Sequence, residues 1–193
     1  MDVRLIKRLN ELWQPIYPFL GKWILKWCPE DIGRVLELGP FSGGISTSLL
    51  KHKPQLQAFC LVDQEELIEP IRAAFHPHIE FIIGGLKMLP FRPSFDLIIF
   101  RGAFFFLTSE MIKESYSSLR PGGYALLGGG YGPLTPKEEI EKIALESKKL
   151  NYRLGKRSIS REVLARMIDE AGLNLCSTII EDGGLWVLVN KEK

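Results

Sequence analysis

Val35-Leu36-Glu37-Leu38-Gly39-Pro40-Phe41-Ser42-Gly43-Gly44-Ile45-Ser46 decides the reading of this chain. An apolar run ends in an acid, a glycine-rich turn follows, and small residues open a helix. That order is the sequence form of a first strand, a tight loop and a helix N-terminus in an α/β domain that binds a nucleotide-like ligand. Glycines at such a turn let the backbone approach a ligand closely.

Outward from this stretch, strands alternate with helices. Strand one spans about 34–38, and a helix follows over 44–52, ending before Pro54. The apolar run 58–62 reads as a strand buried on both faces and closes on Asp63. A helix is expected over 67–75, restarted at Pro70. Strands three and four span 79–83 and 95–100, and Ser109 is the expected cap of a helix to 118. Leu119-Arg120-Pro121-Gly122-Gly123 turns into strand five, 124–127. This spacing implies βαβ units and a parallel sheet, whose ligands bind beyond the carboxyl ends of the strands. Glu37 to Gly43, Asp63, Gly84 to Leu86, Arg101 and Gly128 to Tyr131 all fall at such ends.

The flanks differ. Residues 2–14 and 16–28 carry apolar stripes, with three of the four tryptophans, and predict two helices that pack on the domain and can lid a small molecule. Cys28 to Gly33 reads as a turn. Beyond strand five, Thr135-Pro136-Lys137-Glu138 has the form of a capping box. The next helix carries Ile140, Ile143, Ala144 and Ser147 on one face. A polar, basic connection over 151–158 leads to a helix capped by Ser160 and closed by Gly172. Residues 173–180 and 185–190 read as a hairpin around Glu181-Asp182-Gly183-Gly184. The glycine run 128–132 suggests close ligand approach, a mobile gate or a plain loop.

Bulk properties narrow the partners. The chain has 193 residues, 46% hydrophobic and 25% charged, which suits one domain, with 1–30 as a helical cap and 33–193 as the core. A net charge of +2 gives no global pull toward nucleic acid. Cys28, Cys60 and Cys176 are too few and too far apart for a disulfide or zinc framework. His76 and His78 lack a third ligand, so no metal is expected. The charged N-terminus and the lack of a long apolar run predict a cytoplasmic protein with no membrane segment.

These motifs together resemble the class I S-adenosylmethionine-dependent methyltransferases, of the small-molecule type. Glu37 to Gly43 is similar to the family's acidic, glycine-rich loop, and Asp63 to the acid closing strand two. Phe95-Asp96-Leu97-Ile98-Ile99 is similar to its fourth motif, and Leu119 to Gly123 to the turn before strand five. The resemblance implies a Rossmann-like, seven-stranded, mostly parallel sheet with an antiparallel last strand, and S-adenosyl-L-methionine as cofactor. It implies that Glu37 accepts a hydrogen bond from the methionyl amino group and that Gly39, Pro40, Phe41 and Gly43 lie along the cofactor. Asp63 takes the ribose hydroxyls, and Gln64, Gly85 and Leu86 border the adenine. Two positions depart from the family. Phe41 stands where glycine is usual, so the loop bends differently or Phe41 covers the sulfonium region. Gly85 stands where many relatives carry an adenine-binding Asp.

The acceptor is less legible. Arg101, Tyr131 and the N-terminal aromatics are the candidates near the acceptor, and Arg101 also counts among the cofactor-binding residues. An arginine inside apolar sequence needs a structural partner, which is the favoured reading, or an anionic ligand. Phe100-Arg101-Gly102-Ala103 replaces the Asn-Pro-Pro-Tyr type motif of base-methylating enzymes, so nucleic acid is not the expected substrate. The basic patch formed by Lys148, Lys149, Arg153, Lys156, Arg157 and Arg161 reads first as a solvated face and second as a site for an acidic substrate. A nicotinamide-dependent oxidoreductase and a non-catalytic cofactor-binding protein are the alternatives.

Overall fold

In the computed structural model, which describes every residue but Pro29, seven strands form one sheet in the order β3-β2-β1-β4-β5-β7-β6. They are β1 (Arg34–Leu38), β2 (Gln57–Val62), β3 (Ile79–Ile83), β4 (Phe95–Arg101), β5 (Leu119–Gly130), β6 (Ser177–Ile180) and β7 (Gly184–Asn190). The first five pair in parallel, and β7 runs antiparallel to both β5 and β6. The helices are α1 (Val3–Leu12), α2 (Tyr17–Ile24), α3 (Gly44–His52), α4 (Ile68–Ala74), α5 (Ser109–Ser118), α6 (Lys137–Arg153) and α7 (Arg161–Glu170). The expected class I architecture is therefore present, with the antiparallel strand last in sequence. The turn expected over 28–33 includes Pro29, which lies outside the described residues.

Alternation along the strands divides the core between two faces. Val35, Leu97, Ile99, Leu126 and Trp186 pack under α1, α2, α3 and α6. Leu36, Ile98, Phe100, Leu127 and Val187 pack under α5 and α7. β4 is buried at all of its seven positions, as its unbroken apolar run requires. Its one acid, Asp96, is a structural fastener. Its Oδ2 accepts the amides of Gly33 (2.8 Å) and Arg34 (2.6 Å) at the start of β1, and its Oδ1 pairs with Arg120. The Leu119–Gly123 turn lies inside β5 as an irregularity in register, where β4 residues 95 and 97 face β5 residues 119 and 124.

Several local readings need correction. Thr108, not Ser109, caps α5, because its side chain accepts the Met111 amide. The capping box at Thr135 does not form. Its hydroxyl instead bonds the Tyr131 carbonyl, which leaves Pro136 as an N-cap without a side-chain bond. α6 continues to Arg153 and absorbs the start of the basic connection expected from 151. β6 begins only at Ser177, after a short 3₁₀ turn over Asn174–Cys176. The glycine run at 128–130 is neither gate nor loose loop. It is the end of β5, where a Cβ at Gly128 would stand 2.3 Å from the Leu185 carbonyl and one at Gly130 2.3 Å from that of Gly183.

Candidate functional site

The crevice lies where β1 and β4 part, the point at which strand order reverses. The chain leaves β1 through Gly39 (φ +84°) and enters α3 through Gly43 (φ +101°), both in the left-handed region that favours glycine. Glu37 points to the α3 side and is fully buried. Its Oε2 accepts the Ser46 amide at 2.9 Å, while its Oε1 has no hydrogen-bond partner among the described residues. Burial raises the Glu37 pKa, and the Ser46 and Gly43 groups and the Arg101 charge only partly oppose this.

Arg101, the last residue of β4, has no carboxylate partner among the described residues. Its Nη2 lies within hydrogen-bonding distance of Tyr17 Oη (2.8 Å), the Phe41 carbonyl (3.1 Å) and Asn10 Oδ1 (3.2 Å). Its guanidinium faces the rings of Trp13, Tyr17 and Phe41 at 4.7, 5.1 and 5.2 Å. Such cation–π contacts contribute ~0.5–2 kcal/mol each when desolvated. The buried Arg101 Nε remains without an acceptor. The structural partner expected for Arg101 is thus a set of rings and neutral oxygens supplied by the N-terminal segment and the glycine loop. Phe41 itself is 1% exposed, packed on Phe105 (5.1 Å between centroids) and tight against Gly102.

Two cavities flank this aromatic plug. The first, of about 550 Å³, is bounded by Asp63, Gly85, Leu86, Phe105, Phe106, Met111 and Arg157. Asp63 is exposed at its wall, and a Cβ at Gly85 would meet nothing within 4 Å. The second, of about 370 Å³, lies beneath α6 and the end of β5 and is lined by Trp13, Gly129, Tyr131, Ser147, Lys148, Asn151, Lys156 and Arg157 among others. Trp13 stacks on Tyr131 (4.8 Å, 8° between planes) and donates to Ser147 Oγ at 2.9 Å. Burial raises the Tyr131 phenol, which keeps it neutral at ordinary pH. A gap of only about 20 Å³ among Phe41, Arg101, Phe105 and Lys156 lies between the two.

The structure brings Asp63, Gly85 and Leu86 to one cavity, and Glu37, Gly39, Phe41 and Arg101 to the crevice beside it. Gln64 is half-buried and lines neither cavity. Asn10 escapes sequence reasoning, although it interrupts the apolar stripe of Ile6, Leu9 and Trp13 and so could have been flagged; Tyr17 belongs to the N-terminal aromatics expected near the acceptor. Among the described residues no group of three His, Cys, Asp or Glu is placed to hold a metal. His76 Nδ1 accepts the His78 amide at 3.2 Å within their turn. No helix among the described residues is long and apolar enough to cross a membrane.

Comparison with known proteins agrees with this geometry. Residues 35–123 match the family model of a methyltransferase domain. A protein from Methanococcus maripaludis, assigned as an S-adenosyl-L-methionine-dependent methyltransferase, is 25% identical with a TM-score of 0.78, covering 100% of this chain and 94% of its own. Human N-acetylserotonin methyltransferase, solved with S-adenosylmethionine, is 18% identical with a TM-score of 0.65, over 99% of this chain and 56% of its own. An O-methyltransferase from Planctomyces limnophilus, solved with apigenin, is 15% identical with a TM-score of 0.67, over 98% of this chain and 62% of its own. The chain spans less than two thirds of the last two, and those likenesses show the fold. No curated protein sequence matches the chain.

Proposed function

The chain carries a methyltransferase domain of the S-adenosylmethionine-dependent class I fold, and we propose that it transfers the methyl group to a small molecule held between the N-terminal helices and the end of β5. One observation carries this reading. The space beside the crevice is an open-mouthed pocket of about 370 Å³, the size of a small-molecule site.

The residues present fit the cofactor. Two buried atoms of opposite charge, Glu37 Oε1 and Arg101 Nε, lack partners. They suit the ammonium and carboxylate of an amino acid, since a buried charge without a partner is costly. Asp63 would hold the ribose through two acceptor oxygens. Gly39, Pro40, Phe41 and Gly43 would line the cofactor, and Gln64, Gly85 and Leu86 would edge the adenine. S-adenosylmethionine supplies an activated methyl group on a sulfonium. The protein's share is mostly orientation and exclusion of water. Tyr131, held neutral, is suited to donate a hydrogen bond to the acceptor and not to act as a base. Arg101 would fix the acceptor side of the crevice through its three rings. The three free thiols are those of a protein in a reducing compartment, and we place it in the cytoplasm.

Calorimetry with S-adenosylhomocysteine tests the cofactor, and incubation with methyl-labelled S-adenosylmethionine and fractionated cell extract tests the acceptor. We expect micromolar binding and label in the small-molecule fraction. No binding at millimolar concentration, stabilisation by NAD alone, or label only in RNA or protein overturns the reading.

A further inference from the structure

The acceptor cavity is cationic on one side and aromatic on the other. Lys148 on α6 and Lys156 and Arg157 after it contribute three positive groups to its wall, and no Asp or Glu lines it. None of the three has a carboxylate within 4.0 Å among the described residues. Glu146, two residues before Lys148 on α6, is engaged with Arg8 (2.8 Å). Arg101 and Lys156 both border the gap at the cavity floor, adding a fourth charge of the same sign. Partial burial and, secondarily, the Arg101 charge hold the Lys156 ammonium below its ordinary value. The three side chains are exposed, so solvent screens part of their mutual repulsion, and an anion in the pocket would relieve what remains.

The opposite wall is flat. Trp13 and Tyr131 stack nearly parallel, the Trp13 indole N–H is fixed by Ser147, and Ser147 is in turn held by Asn151 Nδ2 at 3.2 Å. Tyr152 stands 85% exposed among the cavity's lining residues, a large ring left in water without a packing partner. Rigid rings of this kind give a planar ligand contact area at low entropic cost.

We propose that the methyl acceptor is an anionic aromatic small molecule, its carboxylate or phosphate held by Lys148, Lys156 and Arg157 and its ring against the partly exposed Tyr131, which Trp13 backs. This rests on the methyltransferase reading above and names the substrate class of the same site. The basic wall that sequence alone reads as a solvated face is, on this account, the specificity element of the pocket.

Ligand-observed NMR titration on the full chain with benzoate and phenyl phosphate, against benzamide and benzylamine, tests it, with S-adenosylhomocysteine binding measured in parallel. Benzoate and phenyl phosphate should bind at least tenfold more tightly than benzamide, and benzylamine should not bind. Preference for phenyl phosphate over benzoate identifies the anion as phosphate, and the reverse as carboxylate. Lys148→Gln and Lys156→Gln should each weaken the preferred anion about tenfold, as loss of a charge-assisted hydrogen bond does. Lys148→Arg should retain it, and Lys148→Gln should leave S-adenosylhomocysteine affinity unchanged. Equal binding of benzoate and benzamide, or salt-sensitive binding of a single-stranded oligonucleotide with no response to either anion, overturns the inference. If S-adenosylhomocysteine binds normally in that experiment, the anion assignment alone falls. If it does not bind, the methyltransferase reading falls first.

Discussion

Glu37 is both a buried charge and the proposed cofactor anchor, and these roles pull in opposite directions. Burial raises its pKa above the ordinary carboxylate value of 4.5. The folded state therefore keeps a proton that the unfolded chain releases. The stability this contributes is fully present below the ordinary value and is lost as pH rises through the raised one. Glu37→Gln abolishes that titration. In urea denaturation from pH 4.5 to 8 the variant should gain on the wild type as pH rises, while its S-adenosylhomocysteine affinity drops about tenfold or more. A variant that loses ground with rising pH would show that Arg101 compensates the carboxylate fully. At Gly85 the opposite change is informative. A side chain there meets open space, and the backbone is not in the left-handed region. Gly85→Asp should therefore fold normally and tighten S-adenosylhomocysteine by about threefold to tenfold, the worth of one added hydrogen bond. Unchanged affinity in calorimetry would mean that the adenine does not lie against this loop.

Among elements, the join of β1, β4 and β5 depends on Asp96. Asp96→Ala strips the acceptor from two amides and leaves Arg120 facing a partly buried gap. It should cost about 3 kcal/mol and lower Tm by roughly 10 °C in a chain of this size, as calorimetric scanning would show, with cofactor affinity retained in the folded fraction. The sheet was legible because its central strands are buried on both faces and read as apolar runs, and because each acid or glycine at a strand end interrupts such a run. Asp96 was legible as part of a motif, but its work was not, since its partners at Gly33, Arg34 and Arg120 are up to 63 residues away. Helix ends were read less well for the same reason. Thr135 has the local chemistry of a cap, yet the Tyr131 carbonyl, brought close by the end of β5, competes for its hydroxyl. The sequence does not reveal that the glycine run at 128–130 ends β5 against β7, and Gly129 and Gly130 also line the second cavity, as a close ligand approach requires. The cap over the crevice was legible as two amphipathic helices. That Asn10, Trp13 and Tyr17 converge on Arg101 depends on the tertiary placement of α1 and α2 and was not.

Across the whole molecule, the crevice and the cap form one packed unit. Glu37, Phe41 and Arg101 are at most 3% exposed, so a ligand reaches them only if the plug moves. Asp63 and its cavity stay open meanwhile, and the nucleoside end of a cofactor can dock before the amino-acid end. Apparent affinity is then reduced by the small population of the opened form. Phe41→Ala separates the two roles open to this residue. In the free protein it should cost about 3–5 kcal/mol, as loss of a buried aromatic ring does. If the ring is displaced when cofactor binds, the bound state loses less than that. S-adenosylhomocysteine should then raise the variant's Tm by more than it raises the wild type's, with about tenfold tighter binding. If the ring stays in place as a wall beside the sulfonium, the bound state loses as much or more, and both the thermal shift and the affinity fall. We expect the first outcome, because Phe41 packs against Arg101, Gly102 and Phe105 in the narrow space between the two cavities, where the reacting ends of cofactor and acceptor must meet.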